Sequence, residues 1–173
     1  MSRTASFDSS ALVFLLADGV PTIPADARRW QNVRDTVRNM SDAGVTMALP
    51  AAVLAELAAS EHGQAIAQAI SRRLGRIEVQ AFDAEAALIA GEITQGALAA
   101  AKAAGAKPVD RPIVKFDAMI LATALRWKVD HLVTTNGRDF AKYLKHTKLE
   151  VDVVNADEPR GQVSLIGIDR AKR

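Results

Sequence analysis

The sequence predicts an α/β fold with a central, mostly parallel sheet of about five strands. Three observations predict it. Short apolar runs with strand character alternate with longer segments of helical spacing. Turn and cap residues fall between them, notably Gly19 to Pro24, Gly44, Pro50, Asp83 and Asn136-Gly137. The chain has 173 residues, 49% of them hydrophobic and 24% charged, enough for one domain with a sizeable core.

The first strand is short, around Thr4 to Asp8, and runs into a helical stretch that begins near Ser10. Pro24 starts the next helix, whose positions Trp30, Val33, Val37 and Met40 keep helical spacing, and Gly44 closes it. Val45 to Leu49 reads as the second strand. Pro50 then opens a helix that carries Glu56, and after Gly63 a further helix runs to about Leu74. A third strand is expected over Arg76 to Phe82. Asp83 caps a long alanine-rich helix to about Ala104. Gly105 to Pro112 reads as a loop, and Asp117 to Trp127 as a helix. His131 to Thr135 is the fourth strand, Arg138 to Lys145 a short helix, and Glu150 to Asn155 the fifth strand. Within the tail from Pro159 to Arg173, Val163 to Ile168 has the character of an additional edge strand. No internal repeat or second domain is visible.

Composition narrows the chemistry. The chain has no cysteine, which excludes disulfides, thiolate metal sites and a cysteine nucleophile. The histidines His62, His131 and His146 show no metal-ligand spacing. No apolar run is long enough for a membrane span and the N-terminus lacks signal-peptide character, so a cytoplasmic protein is expected. Net charge is +2 and pI is near 9.1, which is only mildly basic. Basic residues cluster at Arg72, Arg73 and Arg76, at Lys142, Lys145, His146 and Lys148, and at Lys107, Arg111 and Lys115. Such clusters are ordinarily solvated helix faces. Around an acidic centre they would instead form a rim able to hold a phosphate backbone.

Four acids supply that centre. Asp8 follows the first strand, Glu56 lies a turn into the helix after the second, Asp117 precedes an apolar helix, and Asp139 follows the fourth strand. Taken singly, each has a plain structural reading. Asp8 and Asp117 are candidate helix caps, Glu56 is a surface acid near a helix N-terminus, stabilised by the helix dipole, and Asp139 is a first-turn acid. Taken together, they occupy comparable points of successive βα units. In an open parallel sheet such points face the crevice beyond the carboxyl ends of the strands. Carboxylates gathered there repel one another unless a cation neutralises them. An all-oxygen set favours Mg²⁺ or Mn²⁺ over Zn²⁺.

In these motifs the chain resembles the PIN-domain ribonucleases, most closely the VapC-type toxins of toxin–antitoxin pairs. The resemblance runs from about Phe7 to Val154. It rests on Phe7-Asp8-Ser9-Ser10-Ala11-Leu12, on Leu49-Pro50-Ala51-Ala52-Val53-Leu54-Ala55-Glu56-Leu57 and on Phe116-Asp117-Ala118-Met119-Ile120-Leu121-Ala122-Thr123-Ala124. The last of these leads into Leu132-Val133-Thr134-Thr135-Asn136-Gly137-Arg138-Asp139-Phe140. Any one motif is weak; all four in order, with family-like spacing, are specific.

The resemblance implies a three-layer α/β/α PIN-like domain over residues 1–158, with 159–173 as a C-terminal extension. It implies a Mg²⁺-dependent endoribonuclease, with Mn²⁺ as a possible substitute. Asp8, Glu56 and Asp117 would be the core metal ligands and Asp139 the fourth, with Ser10, Thr135 and Asn136 in support. Asn136 is the alternative fourth ligand. A homodimer and a cognate antitoxin are implied as well. Trp30, Val33, Val37 and Met40 are then candidates for an antitoxin groove, although core packing explains them more simply. Two features depart from the family pattern: the longer Gly19 to Pro24 connection and the tail beyond Pro159. Two other readings remain at the sequence level: a housekeeping RNA-processing nuclease, and a PIN-like scaffold that binds RNA or protein without cleaving.

Overall fold

A computed structural model of the chain describes residues 3–17, 19–59, 77–105 and 111–157, together with residues 64, 68 and 70. Five strands, β1 (Thr4–Phe7), β2 (Thr46–Pro50), β3 (Glu78–Gln80), β4 (His131–Thr134) and β5 (Asp152–Asn155), form one sheet in the order β3-β2-β1-β4-β5. Every pairing is parallel. In register, Ser6 pairs with Ala48 on one side and with Leu132 on the other. The expected mostly parallel sheet is thus wholly parallel among the described residues.

The helices are α1 (Ser9–Leu16), α2 (Pro24–Asp42), α3 (Ala51–Ala58), α4 (Ala84–Ala103), α5 (Arg111–Arg126) and α6 (Gly137–Leu144). Asp83 caps α4 by accepting the Ala86 N–H at 2.9 Å. Pro24 stands at the first turn of α2, where its missing N–H costs nothing. That helix ends in a Schellman turn. Gly44 takes φ +72°, its N–H donates to the Ser41 carbonyl, and the Val45 N–H donates back to the Met40 carbonyl. The same turn ends α5, with Lys128 at φ 51° in the position glycine favours.

Two apolar clusters make the outer layers. On one face, Val33 and Met40 of α2 pack with Ala5 and Phe7 of β1, Val133 of β4 and Val154 of β5, and Val37 joins them. The core reading therefore holds for these three α2 residues, and they do not form an open groove. Trp30 lies instead beneath the Arg34 guanidinium, 4.6 Å from the ring centroid. On the other face, Ala118, Leu121, Ala122 and Leu125 of α5 pack with Leu132, with Ala90 and Ile93 of α4, and with Phe140 of α6. Covered on both sides, the strands have the buried character typical of parallel sheets. This is the three-layer α/β/α arrangement.

Two boundaries differ from the sequence reading. The third strand is three residues long, not the span from Arg76 to Phe82, because Ala81 to Asp83 leave the sheet to enter the α4 cap. The helix expected to begin at Asp117 begins at Arg111 instead. Pro112 is tolerated there because a proline in the first turn of a helix sacrifices no hydrogen bond. The Gly63 to Leu74 helix, the Val163 to Ile168 strand, Arg72, Arg73, Arg76 and Lys107 lie outside the described residues, apart from helical positions 64, 68 and 70.

Candidate active site

The strand order reverses between β1 and β4, so a crevice is expected beyond their carboxyl ends. Asp8 lies there. It is only 4% exposed, and it also caps α1 by accepting the Ala11 N–H at 2.8 Å. The simple capping reading of Asp8 is therefore correct, and it does not compete with the functional one. The cap is what aims the carboxylate.

Two further donors converge on Asp8. The Ser10 hydroxyl lies 2.9 and 2.8 Å from its two oxygens, and the Thr134 hydroxyl donates to Oδ2 at 2.5 Å. Thr134 also accepts the Asn136 N–H at 2.8 Å. Thr135 donates to the Ser10 hydroxyl from both its N–H and its own hydroxyl, at 3.1 and 2.8 Å. The β4–α6 loop is thereby stitched onto the β1–α1 turn through Asp8 and Ser10. Sequence reasoning does not single out Thr134. A threonine in a strand reads as β-propensity, and nothing local shows that its hydroxyl faces an acid 126 positions away.

Glu56 stands in the second turn of α3, the helix that follows directly from β2 at Pro50. It accepts the Ser9 hydroxyl at 2.7 Å. Ser9 also escapes the sequence reading, because the motif draws attention to its neighbour Ser10.

Asp117 lies inside α5, not at its start, so the cap reading for this residue is overturned. Its Oδ2 accepts the Tyr143 hydroxyl of α6 at 3.4 Å. Asp139 stands in the first turn of α6, as expected, and is paired with Lys142 at 2.6 Å. Asn136 is the N-cap residue of α6, but its side chain makes no cap bond.

The protonation of these acids shows that they share one field. Burial, partly offset by the Thr134, Ala11 and Ser10 donors, pushes Asp8 up to about 6, and the Glu56 charge adds to the rise. Asp117 is pushed up to about 7, first by burial, then by the charges of Glu56 and Asp8, with a smaller contribution from Asp139. The Tyr143 hydroxyl moves upward too, first by burial and then through the charges of Asp117 and Asp139. Asp139 moves the other way. The Lys142 ammonium holds its carboxyl below the usual range. Of the four acids, Asp139 alone has an ion-pair partner among the described residues.

Three of the four acids thus form a mutually repelling set, with the fourth at its edge. Oxygen-only donors and uncompensated negative charge suit a hard cation in kind. In spacing they are not closed: among the described residues, no three acidic or histidine side chains stand close enough to hold a metal ion as placed. A large cleft of about 1270 Å³ is lined by residues such as Lys128, Asp130 and Glu150 and contains none of the four acids. A smaller cleft of about 330 Å³ borders the site. Arg29, Thr135, Asn136, Arg138 and Asn155 are among its walls. No helix among the described residues is long and apolar enough to cross a membrane.

No protein-family model matches the sequence, and no curated protein matches it. Solved structures do match. A chain of the VapBC2 complex from Rickettsia felis, bound to a DNA fragment from its promoter, superposes with a TM-score of 0.55 at 17% identity. The match covers 87% of this chain and 98% of that one. A chain of VapBC-1 from nontypeable Haemophilus influenzae gives 0.55 at 16% identity, covering 90% and 99%. A tyrosyl-tRNA synthetase from Leishmania major also matches, at 0.54 and 17% identity, but over only 28% of its own length. The doubly wound sheet matches chains of VapBC structures over nearly their whole length, so the fold is PIN-like, of the kind found in those complexes. The synthetase match shows why fold alone does not assign chemistry.

Proposed function

We propose that the chain is a Mg²⁺-dependent endoribonuclease and the toxin of a VapBC-type pair. One observation carries the proposal: Asp8, Glu56 and Asp117 come from three different elements and face one crevice, where burial first and then the charge of neighbouring acids raise Asp8 and Asp117. A fold that needed only stability would not gather three acids without a cation.

Asp8, Glu56 and Asp117 would hold the cation, with Asp139 at the margin because Lys142 already compensates it. When bound, a divalent cation supplies an activated water and stabilises charge on the phosphoryl oxygens. The chain's own residues do the rest. Ser10, Thr134 and the Ala11 N–H fix the Asp8 carboxylate, and Ser9 fixes Glu56. Arg138, at the bordering cleft, would meet a flanking phosphate, with the exposed Lys142 beside Asp139 as a second cation. Sequence choice would come from RNA shape or unstacked bases, and aromatics are too scarce, at 5%, for a broad stacking platform. The neighbours' complexes support an antitoxin partner for this chain.

Cleavage of a labelled structured RNA tests the reading, with Mg²⁺ or EDTA and with Asp117→Asn alongside. Metal-dependent cutting that disappears in the variant supports it. Equal behaviour of the two proteins across tRNA and rRNA substrates would favour the non-catalytic scaffold.

A further inference from the structure

The smaller cleft beside the acids holds polar groups that the acidic set does not use. Its volume, about 330 Å³, lies at the lower end of pockets that take a small ligand. It opens next to Asp8, because Thr135 in its wall bonds Ser10, and Ser10 bonds Asp8. Most polar groups around it are already engaged. Arg29 donates to Asp157 at 2.7 Å and also pairs with Asp26. The Thr135 hydroxyl donates to Ser10 at 2.8 Å, and the Asn136 side chain bonds Asp139. Asn155 accepts the Asp157 N–H through Oδ1 at 3.3 Å, which fixes the two ends of its amide. Gly137 lets that side chain lie against the start of α6, since a Cβ at this position would stand 2.6 Å from Asn155 Cβ. Two groups in the wall remain without a protein partner among the described residues: the Asn155 NH₂ and the exposed Arg138 guanidinium.

Both are donors, and they differ in kind. A guanidinium suits a phosphate, whereas a single neutral NH₂ suits an acceptor on a base edge. Uracil and guanine present a keto oxygen where cytosine and adenine present an amino group, which would meet the amide donor to donor. No aromatic residue is among the walls, so a base seated here is read by its edge and not by stacking. We propose that this cleft is a subsite for one unstacked nucleotide beside the scissile bond, in which the Asn155 NH₂ selects a keto base, uracil or guanine, while Arg138 meets the phosphate. The proposal rests on the ribonuclease reading of the neighbouring acids and adds to it a residue that chooses sequence.

The test uses the full chain and two short labelled RNAs, oligouridylate and oligocytidylate, with binding followed by fluorescence anisotropy in EDTA. The wild type should bind oligouridylate about 5-fold more tightly, the worth of one hydrogen bond. Asn155→Asp still accepts the Asp157 N–H but replaces the free donor with an acceptor, and should reverse the preference towards oligocytidylate. Arg138→Ala should weaken both RNAs alike and reduce the slope of log affinity against log salt by about 0.7. Thermal unfolding of each variant checks that it is folded, and the wild-type comparison of the two RNAs needs no variant. Cleavage with Mg²⁺ is measured on the same RNAs. Equal affinity of the wild type for both, or one unchanged preference in wild type and folded Asn155→Asp, would overturn the base selection whether or not the RNAs are cut. A keto preference without cutting would overturn the nuclease reading and leave the subsite standing. Absence of RNA binding by the wild type would overturn both.

Discussion

Replacing Asp117 with asparagine should stabilise the metal-free protein at pH 8. Asp117 titrates at about 7 in the fold, against 3.8 for an ordinary aspartate. The folded chain therefore keeps a proton that the unfolded chain gives up between those values. Stability contributed by that proton is fully present below about pH 4 and is lost as pH rises through about 7. The gap between the two values corresponds to about 4 kcal/mol as a ceiling. Solvent around a half-buried side chain and the charge shared with Asp8 and Glu56 reduce it, to roughly 1–3 kcal/mol. Asparagine keeps the size and can still accept from Tyr143. For a chain of this length the gain amounts to a rise in Tm of about 3–10 °C. Thermal unfolding in EDTA at pH 8 and pH 5 measures it. The rise should shrink at pH 5, where most of the wild-type Asp117 is already protonated. Added Mg²⁺ should then raise the Tm of the wild type and not of the variant, by mass action on the folded state. A variant no more stable than wild type at pH 8, or a gain independent of pH, would refute the reasoning.

Other positions give independent checks. Thr134→Val removes a donor from buried Asp8 and an acceptor from the Asn136 N–H, and should cost about 1.5–3 kcal/mol in denaturant unfolding. Gly137→Ala would place a Cβ 2.6 Å from Asn155 Cβ and 3.4 Å from its Cα, and should lower stability by about 1–3 kcal/mol in the same assay. Gly91→Ala, in an exposed part of α4 with open space at its Cβ, should instead raise it by about 0.5–1 kcal/mol. Lys128→Gly relieves a left-handed residue at the end of α5 and should raise Tm, with thermal unfolding of both proteins in parallel as the measure.

Much of this molecule is legible because its signals are local. Pro24, Gly44, Asp83 and Asn136-Gly137 mark element ends through caps and fixed backbone angles, and the structure puts boundaries beside each. The start of α5 is not legible in the same way. Pro112 and its charged neighbours look like a loop, while the packing of Val114, Ala118 and Leu121 extends the helix backwards. A proline marks a boundary, but it does not say on which side of it the helix lies. The third strand reads too long because alternation in Arg76 to Phe82 carries no information about where pairing with β2 stops.

The site divides along the same line. Each acid shows in its own neighbourhood, since a carboxylate beside apolar residues is conspicuous in sequence. The supporting hydroxyls do not, because Ser9, Thr134 and Tyr143 acquire meaning only across the fold, over separations of 47, 126 and 26 residues. The motif singles out Ser10 and Thr135, and the structure gives them partners. The difference is physical. Groups that carry charge are restricted to few tolerable environments and betray themselves locally, while neutral hydroxyls are tolerated almost anywhere and so reveal their role only through distance. In a site of this kind the hydroxyls that hold the acids, Ser9 and Thr134 among them, are where structure adds most to sequence.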